Sequence, residues 1–233
     1  MMGRKLTNAI RYCLDEMLPP FIRDNYYCMY PLFYIWYKGK NVKRFMNFKS
    51  VFHKLSEAEF EQYYKDYDSL PTRETDLSTD TIKFIIHHLD TDKSMKILDV
   101  GCGSGYMLHQ IQNQGYENLV GVDLVNHLKY PNIALQPANI EKLPFEDKSF
   151  DTVICSHTLE HVINIQQAIK ELKRVAAKKL IITIPRQRYF KYTFDLHIHF
   201  FPQISYFLNL LEIDESKILY KNIEGDWSLV CQM

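Results

Sequence analysis

The sequence predicts an α/β fold: a doubly wound, mostly parallel seven-stranded sheet with a terminal antiparallel hairpin, preceded by a helical N-terminal extension. Three observations predict it. Apolar runs of strand length recur from residue 96 onward, and most are followed by apolar residues at helical spacing, the alternation that builds parallel sheets. A glycine-rich turn, Gly101-Cys102-Gly103-Ser104-Gly105, joins the first such run to the first such helix. The last two runs, residues 217–220 and 227–231, flank Gly225 as the arms of a hairpin do.

The elements follow in order. Leu6, Ile10, Cys13, Leu14 and Met17 repeat at helical spacing until Pro19-Pro20 ends the pattern. Residues 26–37 are dense in aromatics and flanked by Arg23, Lys38 and Lys40. Residues 55–67 read as an acidic helix with Phe60, Tyr63 and Tyr64 turned inward. Ser78 or Thr79 caps a helix carrying Ile82, Ile85, Ile86 and Leu89 on one face. Strands are expected at 96–100, 118–123, 133–136, 150–155 and 180–185, with helices from Tyr106 to a stop at Gly115 and from Glu160 to Val175. The domain boundary is set at 75/76, separating a basic, aromatic extension (1–75) from the α/β domain (76–233).

Composition limits the function classes. Hydrophobic residues make up 46% and charged residues 24% of the 233, which suits a globular protein with a sizeable core. The formal net charge is zero, so no global field argues for nucleic acid. Residues 1–50 nevertheless hold nine basic residues against three acids. Aromatics beside cations suit a membrane headgroup layer, so residues 21–44 are a candidate peripheral membrane contact; packing of these aromatics on the protein is the favoured reading. Five cysteines without pattern read as reduced thiols. With no secretory leader pattern and no stretch near the ~20 apolar residues of a membrane span, the expected location is the cytoplasm, with a membrane-peripheral option. Nothing in the sequence sets the oligomeric state.

The chemistry centres on Asp99-x-Gly101-x-Gly103-x-Gly105. Glycine lets the chain turn tightly and lets a ligand lie against bare backbone, while the N–H groups opening the next helix suit an anionic group. A dinucleotide-binding turn needs a small residue three positions after Gly103, where Tyr106 stands, so an NAD(P)-dependent oxidoreductase is disfavoured. Asp123 ends the second strand 18 positions beyond Gly105, near the ~20-residue interval at which such sheets present a carboxylate to ribose hydroxyls.

Further along stand Asn139-Ile140-Glu141-Lys142-Leu143-Pro144-Phe145, then Ser149-Phe150-Asp151, then Leu159-Glu160-His161. With the glycine motif, these make the chain resemble the class I S-adenosylmethionine (SAM)-dependent methyltransferases over residues 75–233, and within them the small-molecule type 11 group. The resemblance implies SAM as cofactor. Gly101, Gly103 and Gly105 would cradle its methionyl part, Asp99 contact its amino end, and Asp123 its ribose. Leu124 and Ile140 would cover the two adenine faces. Asn139 stands where the family carries an acid that accepts from the adenine amino group; its amide oxygen accepts without charge assistance. Arg73 is a candidate for the methionyl carboxylate.

Ser156 and His157 follow the fourth strand, at the carboxyl edge where parallel sheets bind ligands. The resemblance points SAM's sulfur toward them. For a hydroxyl acceptor the base is His157 first and His197 second, because imidazole titrates near neutrality. His197 lies in an insertion, residues 186–201, that resembles the acceptor-lining segment of the family. His197, His199 and Asp195 are metal-ligand types, but alternate positions on an extended segment diverge, so no metal is expected. The absence of an Asn/Asp-Pro-Pro-aromatic run after strand four, and of a basic stripe in the domain, argues against nucleic acid. The expected acceptor is a small molecule, lipid or saccharide, methylated on oxygen. A SAM-binding interaction module without turnover is the other reading.

Overall fold

A computed structural model describes residues 12–13, 17–68, 75–125, 129–130 and 133–233. The chain divides into two compact units: Met1–Arg73 with Gln187–Phe200, and Glu74–Arg186 with Phe201–Met233. Most of the helix expected over residues 6–17 lies outside the described residues, as does Arg73.

The first unit is helical. Helix α1 (Pro20–Arg23) starts on a proline, whose fixed φ suits a first turn. Helix α2 (Tyr26–Trp36) is capped by Asn25, whose Oδ1 accepts from the N–H groups of Tyr27 at 2.9 Å and Cys28 at 3.3 Å. Short helices α3 (Val42–Met46) and α4 (Phe48–Val51) follow. Helix α5 (Glu57–Asp68) opens on a capping box, Ser56 N–H donating to Glu59 Oε2 at 2.8 Å while Glu59 N–H returns to Ser56 Oγ at 3.4 Å.

Aromatic packing organises this unit. Met29, Phe33 and Tyr37 are buried on one side of α2 against Phe45, Phe48 and Tyr63. Residues Gln187–Phe200 complete that core: Tyr192 and Leu196 are buried in it, and Phe194 stacks on Phe33 with ring centroids 4.5 Å apart. The Tyr37 hydroxyl donates to the Phe194 carbonyl, Lys49 Nζ to the Phe190 carbonyl, and Arg23 Nη2 to the Tyr189 carbonyl at 3.2 Å. The domain boundary expected at 75/76 is corrected accordingly. An insertion assigned by sequence order to the α/β domain packs with the N-terminal extension, because its aromatics fill that unit's core. Met29 and Phe33 of α2 are buried, while Tyr27, Leu32, Tyr34 and Ile35 are exposed.

The second unit is the expected seven-stranded sheet. Its strands are β1 (Ile97–Val100), β2 (Leu119–Asp123), β3 (Ala134–Pro137), β4 (Phe150–Ser156), β5 (Ala176–Pro185), β6 (Ile218–Ile223) and β7 (Asp226–Gln232). They run in the order β3-β2-β1-β4-β5-β7-β6. The first five are parallel; β7 pairs antiparallel with both β5 and β6. Side chains of adjacent residues leave opposite faces of a strand. Leu98, Val153 and Ile182 therefore enter one apolar layer with Leu172 and Phe207, while Ile97, Ile154 and Ile181 enter the other with Ile85 and Leu108. Helices α6 (Thr79–His87), α7 (Tyr106–Gln112), α8 (Ile165–Val175) and α9 (Ile204–Leu211) supply the outer halves of these layers. Strand order reverses between β1 and β4, which makes the carboxyl ends of these strands the ligand-binding crevice of such a sheet. β5 begins at Ala176, immediately after α8, rather than at Leu180 as expected.

Phe33 is fully buried between α2 and the 187–200 segment. Phe33→Ala is expected to remove about 3–5 kcal/mol from the first unit, read as a lowered urea midpoint of near-ultraviolet circular dichroism.

Candidate functional site

The crevice begins at the glycine turn after β1. Gly101 (φ +76°), Gly103 (φ +51°) and Gly105 (φ +79°) are all left-handed. Each answers a different demand. A Cβ on Gly101 would lie 2.0 Å from Thr158 Oγ1, so this glycine exists to let the β4 turn approach. A Cβ on Gly103 would meet nothing within 4 Å, so its backbone borders open space. Gly105 is the N-cap of α7.

The turn is clipped to the end of β2. Gly101 and Cys102 N–H both donate to the Val122 carbonyl, at 2.7 and 3.0 Å, and Gly103 N–H donates to Asp123 Oδ2 at 2.8 Å. Asp123 Oδ1 accepts from Val125 N–H at 3.3 Å, and the Asp123 carbonyl accepts from Ala138 N–H at 3.1 Å. The ends of β1, β2 and β3 thus meet at Asp123. Leu124 is half-buried beside it. Asn139 follows β3 with its Oδ1 accepting from Glu141 N–H at 2.9 Å, and Ile140 is buried in the apolar layer with Leu98 and Val153. Asp99 is 2% exposed; burial first, then the Asp123 charge, pushes its carboxyl up to about 7.

The other half of the crevice is built at the end of β4. Ser156 pairs in register with Thr183 of β5, and His157 N–H donates to the Thr183 carbonyl at 2.9 Å. His157 holds φ +50°, a conformation disfavoured for any residue with a Cβ, and this aims its ring between two buried carboxylates. Nδ1 lies 3.3 Å from Glu160 Oε1, and Nε2 lies 3.2 Å from Asp226 Oδ2. Glu160 and Asp226 are 0% and 2% exposed. Burial alone would discharge the imidazole, but Asp226 and then Glu160 overcome it and push its pKa up to about 10.

Nε2 is hydrogen-bonded to Asp226 while Nδ1 faces Glu160 as an ion pair, and this pair of acids favours the protonated ring. A ring whose pKa is pushed up to about 10 offers no lone pair at neutral pH, which weighs against His157 as the first candidate for a base. His197 is in the other unit, in the segment Gln187–Phe200, buried with its Nδ1 2.7 Å from Gln187 Oε1. The structure gathers Asp99, Gly101, Gly103, Gly105, Asp123, Leu124, Asn139, Ser156 and His157 on one sheet edge. Asp226 escaped the sequence reading, because an acid next to Gly225 looks like a turn residue and its partner is 69 positions away. Nothing in the sequence signals that Thr158 packs on Gly101.

Comparison with known proteins shows what this domain is similar to. Residues 98–182 match the methyltransferase domain family. A tRNA U34 carboxymethyltransferase of Campylobacter curvus is 30% identical over 145 residues, 52% of this chain and 48% of that one. A ubiquinone biosynthesis O-methyltransferase of Rickettsia typhi is 36% identical over 100 residues, 39% of each chain. The chain thus spans less than half the length of either relative. A solved protein of Pyrococcus horikoshii superposes with a TM-score of 0.54 at 20% identity, over 72% of this chain and 98% of that one. The fold is shared with solved SAM-dependent methyltransferases, among them one of Thermotoga maritima with a TM-score of 0.51 at 15% identity, over 65% of this chain and 87% of that one.

Gly101→Ala carries both left-handed strain and a clash with Thr158, and is expected to lower stability by about 2–4 kcal/mol. Gly225→Ala, also left-handed (φ +90°) but with nothing within 4 Å of its Cβ, is expected to cost only about 1 kcal/mol. Urea titrations of both variants check the difference. The raised pKa of His157 gives a pH signature. Its stabilisation is complete below the unfolded histidine value of about 6.5 and is lost as pH rises toward 10. The stability difference between wild type and His157→Gln is expected to shrink over that window, measured by urea midpoints at successive pH values.

Proposed function

We propose that this chain, which carries a class I SAM-dependent methyltransferase domain, transfers a methyl group from SAM to an oxygen of a small-molecule, lipid or saccharide acceptor. The observation that carries this reading is the bare backbone of Gly103, which faces open space beside the Asp123 carboxylate at the switch point of the sheet. When bound, SAM supplies a methyl group already activated by its sulfonium, so the protein's task is alignment. Asp99 would pair with the ammonium, Asp123 with the ribose hydroxyls, and Leu124 with an adenine face. Asn139 would keep the following turn in place.

Ser156 and the His157 imidazolium border the reacting end. A fixed positive charge there does not take a proton; it orients Glu160 and Asp226 and keeps the β4 turn rigid. The likeness to an O-methyltransferase favours oxygen. The likeness to a tRNA-modifying enzyme keeps nucleic acid as the competing acceptor, disfavoured by a net charge of zero. All five cysteines are free thiols, in keeping with a cytoplasmic setting. Among the described residues, no helix is long and apolar enough to cross a membrane.

Calorimetric titration with SAM and with S-adenosylhomocysteine tests the reading. Micromolar binding is expected, weakened about tenfold to hundredfold in Asp123→Ala. Gly103→Ala is expected to fold, since its Cβ meets nothing in the protein, yet to lose SAM binding because the methyl group enters the cofactor's space. Affinity for SAM is expected to fall as pH drops below 7, where Asp99 becomes neutral, by about tenfold per pH unit at most, and Asp99→Asn to flatten that profile. Failure of intact protein to bind either compound overturns the proposal. Binding without methyl transfer to lipid or saccharide extracts overturns its acceptor.

A further inference from the structure

Helix α2 is apolar on both faces, and among the described residues only one face is covered. Met29, Phe33 and Tyr37 enter the core of the first unit, while Tyr27 is 84% exposed and Ile35 74% exposed on the opposite side. Pro31, Leu32 and Tyr34 are also exposed, and they share that side with Tyr27 and Ile35 at helical spacing. The outward face carries no charge. Soluble surface helices place polar residues there, and a helix apolar all round is normally buried all round.

Cations frame the uncovered face. Lys38, Lys40 and Lys43 follow the helix and are all exposed. The whole stretch from residue 25 to residue 56 contains no aspartate or glutamate. The helix end is itself informative. Gly39 N–H donates to the Tyr34 carbonyl at 2.8 Å and Lys38 N–H to the Ile35 carbonyl at 3.2 Å, a Schellman termination that places Lys38 in the left-handed position (φ +52°). Glycine is the residue that fits there without strain, yet the chain carries a lysine.

We propose that the outward face of α2 seats on an anionic phospholipid membrane surface, with its apolar side chains among the acyl-chain ends of the headgroups and Lys38, Lys40 and Lys43 against lipid phosphates. Tyrosines at a helix face have an apolar ring and a polar tip that suit the headgroup boundary, and basic residues beside an amphipathic segment add attraction to anionic lipid. A second copy of this chain is the competing occupant. The lysines disfavour it, because a two-fold contact centred on this face would bring like charges together.

Co-sedimentation of the full chain with lipid vesicles tests the proposal. The protein is expected to pellet with phosphatidylglycerol–phosphatidylcholine vesicles, to remain in the supernatant with phosphatidylcholine alone, and to be partly released by salt. The double variant Tyr27→Asp, Ile35→Asp is expected to lose pelleting while keeping its circular dichroism, since both positions are exposed. Neutralising each lysine to glutamine is expected to weaken binding about fivefold. Lys38→Gly separates the two roles of that residue: it relieves left-handed strain, so the melting temperature should rise while vesicle affinity falls about fivefold. As a control for indiscriminate stickiness, Leu219→Ser with Tyr220→Ser, exposed apolar residues on β6, should leave pelleting unchanged. No pelleting of wild type, or equal pelleting of wild type and the α2 variants, overturns the proposal. So does a concentration-dependent dimer in light scattering that the α2 variant abolishes in the absence of any vesicle binding.

Discussion

Two carboxylates, Glu160 and Asp226, are buried at the carboxyl edge of the sheet, and the His157 imidazolium lies between them. Without that charge, two neighbouring anions would be removed from water with nothing to offset their repulsion. With it, the cluster ties two separate pieces of chain together: the end of β4 with the turn that follows, and the start of β7. The left-handed backbone of His157 costs on the order of 1–2 kcal/mol, yet it lets both ring nitrogens meet an acid at once. The antiparallel closing strand therefore serves the crevice directly. It supplies the acid that fixes the charge state of the histidine.

The glycine turn depends on the same corner. Thr158, one residue beyond His157, occupies the space a side chain at Gly101 would need. Its Oγ1 donates to the Ser156 carbonyl at 3.1 Å. The two halves of the crevice are thus in contact through bare backbone, and the position of Gly103 follows from that of Gly101. Three glycines at alternate positions look like one motif in the sequence. In the fold they obey three constraints: a close approach, an open space and a helix cap.

How much of this was legible in the sequence follows from the range of the interactions involved. The strands, the Ser78 cap and the Gly225 hairpin rest on periodicity and local turn chemistry, and they appear where the pattern places them apart from the early start of β5 and shifted ends of β6. Asp123 was legible for the same reason, since its distance from Gly105 is set by one helix and one strand. The charge on His157 was not legible. A histidine's pKa depends on what faces it, and Asp226 comes from a strand laid down almost seventy residues later. The grouping of residues 187–200 with the N-terminal unit was hidden for a related reason. Tyr192, Phe194 and Leu196 alternate like many loop hydrophobics, and only the stacking of Phe194 on Phe33 reveals which core they fill.

The aromatic stretch shows the limit of periodicity in another way. A helix with one apolar stripe declares which side is inside; α2, apolar all round, declares only that it cannot stand in water alone. Its sequence favours burial without excluding surface attachment, and the packing shows which face is buried. Met29, Phe33 and Tyr37 fill a core whose remaining wall is the 187–200 segment, so the inner face is committed to holding that segment in place. Among the described residues, Tyr27 and Ile35 of the outer face stay exposed. Large apolar side chains that the fold leaves in water mark a surface shaped by something other than stability. The lysine held in a glycine conformation at the end of the same helix points the same way.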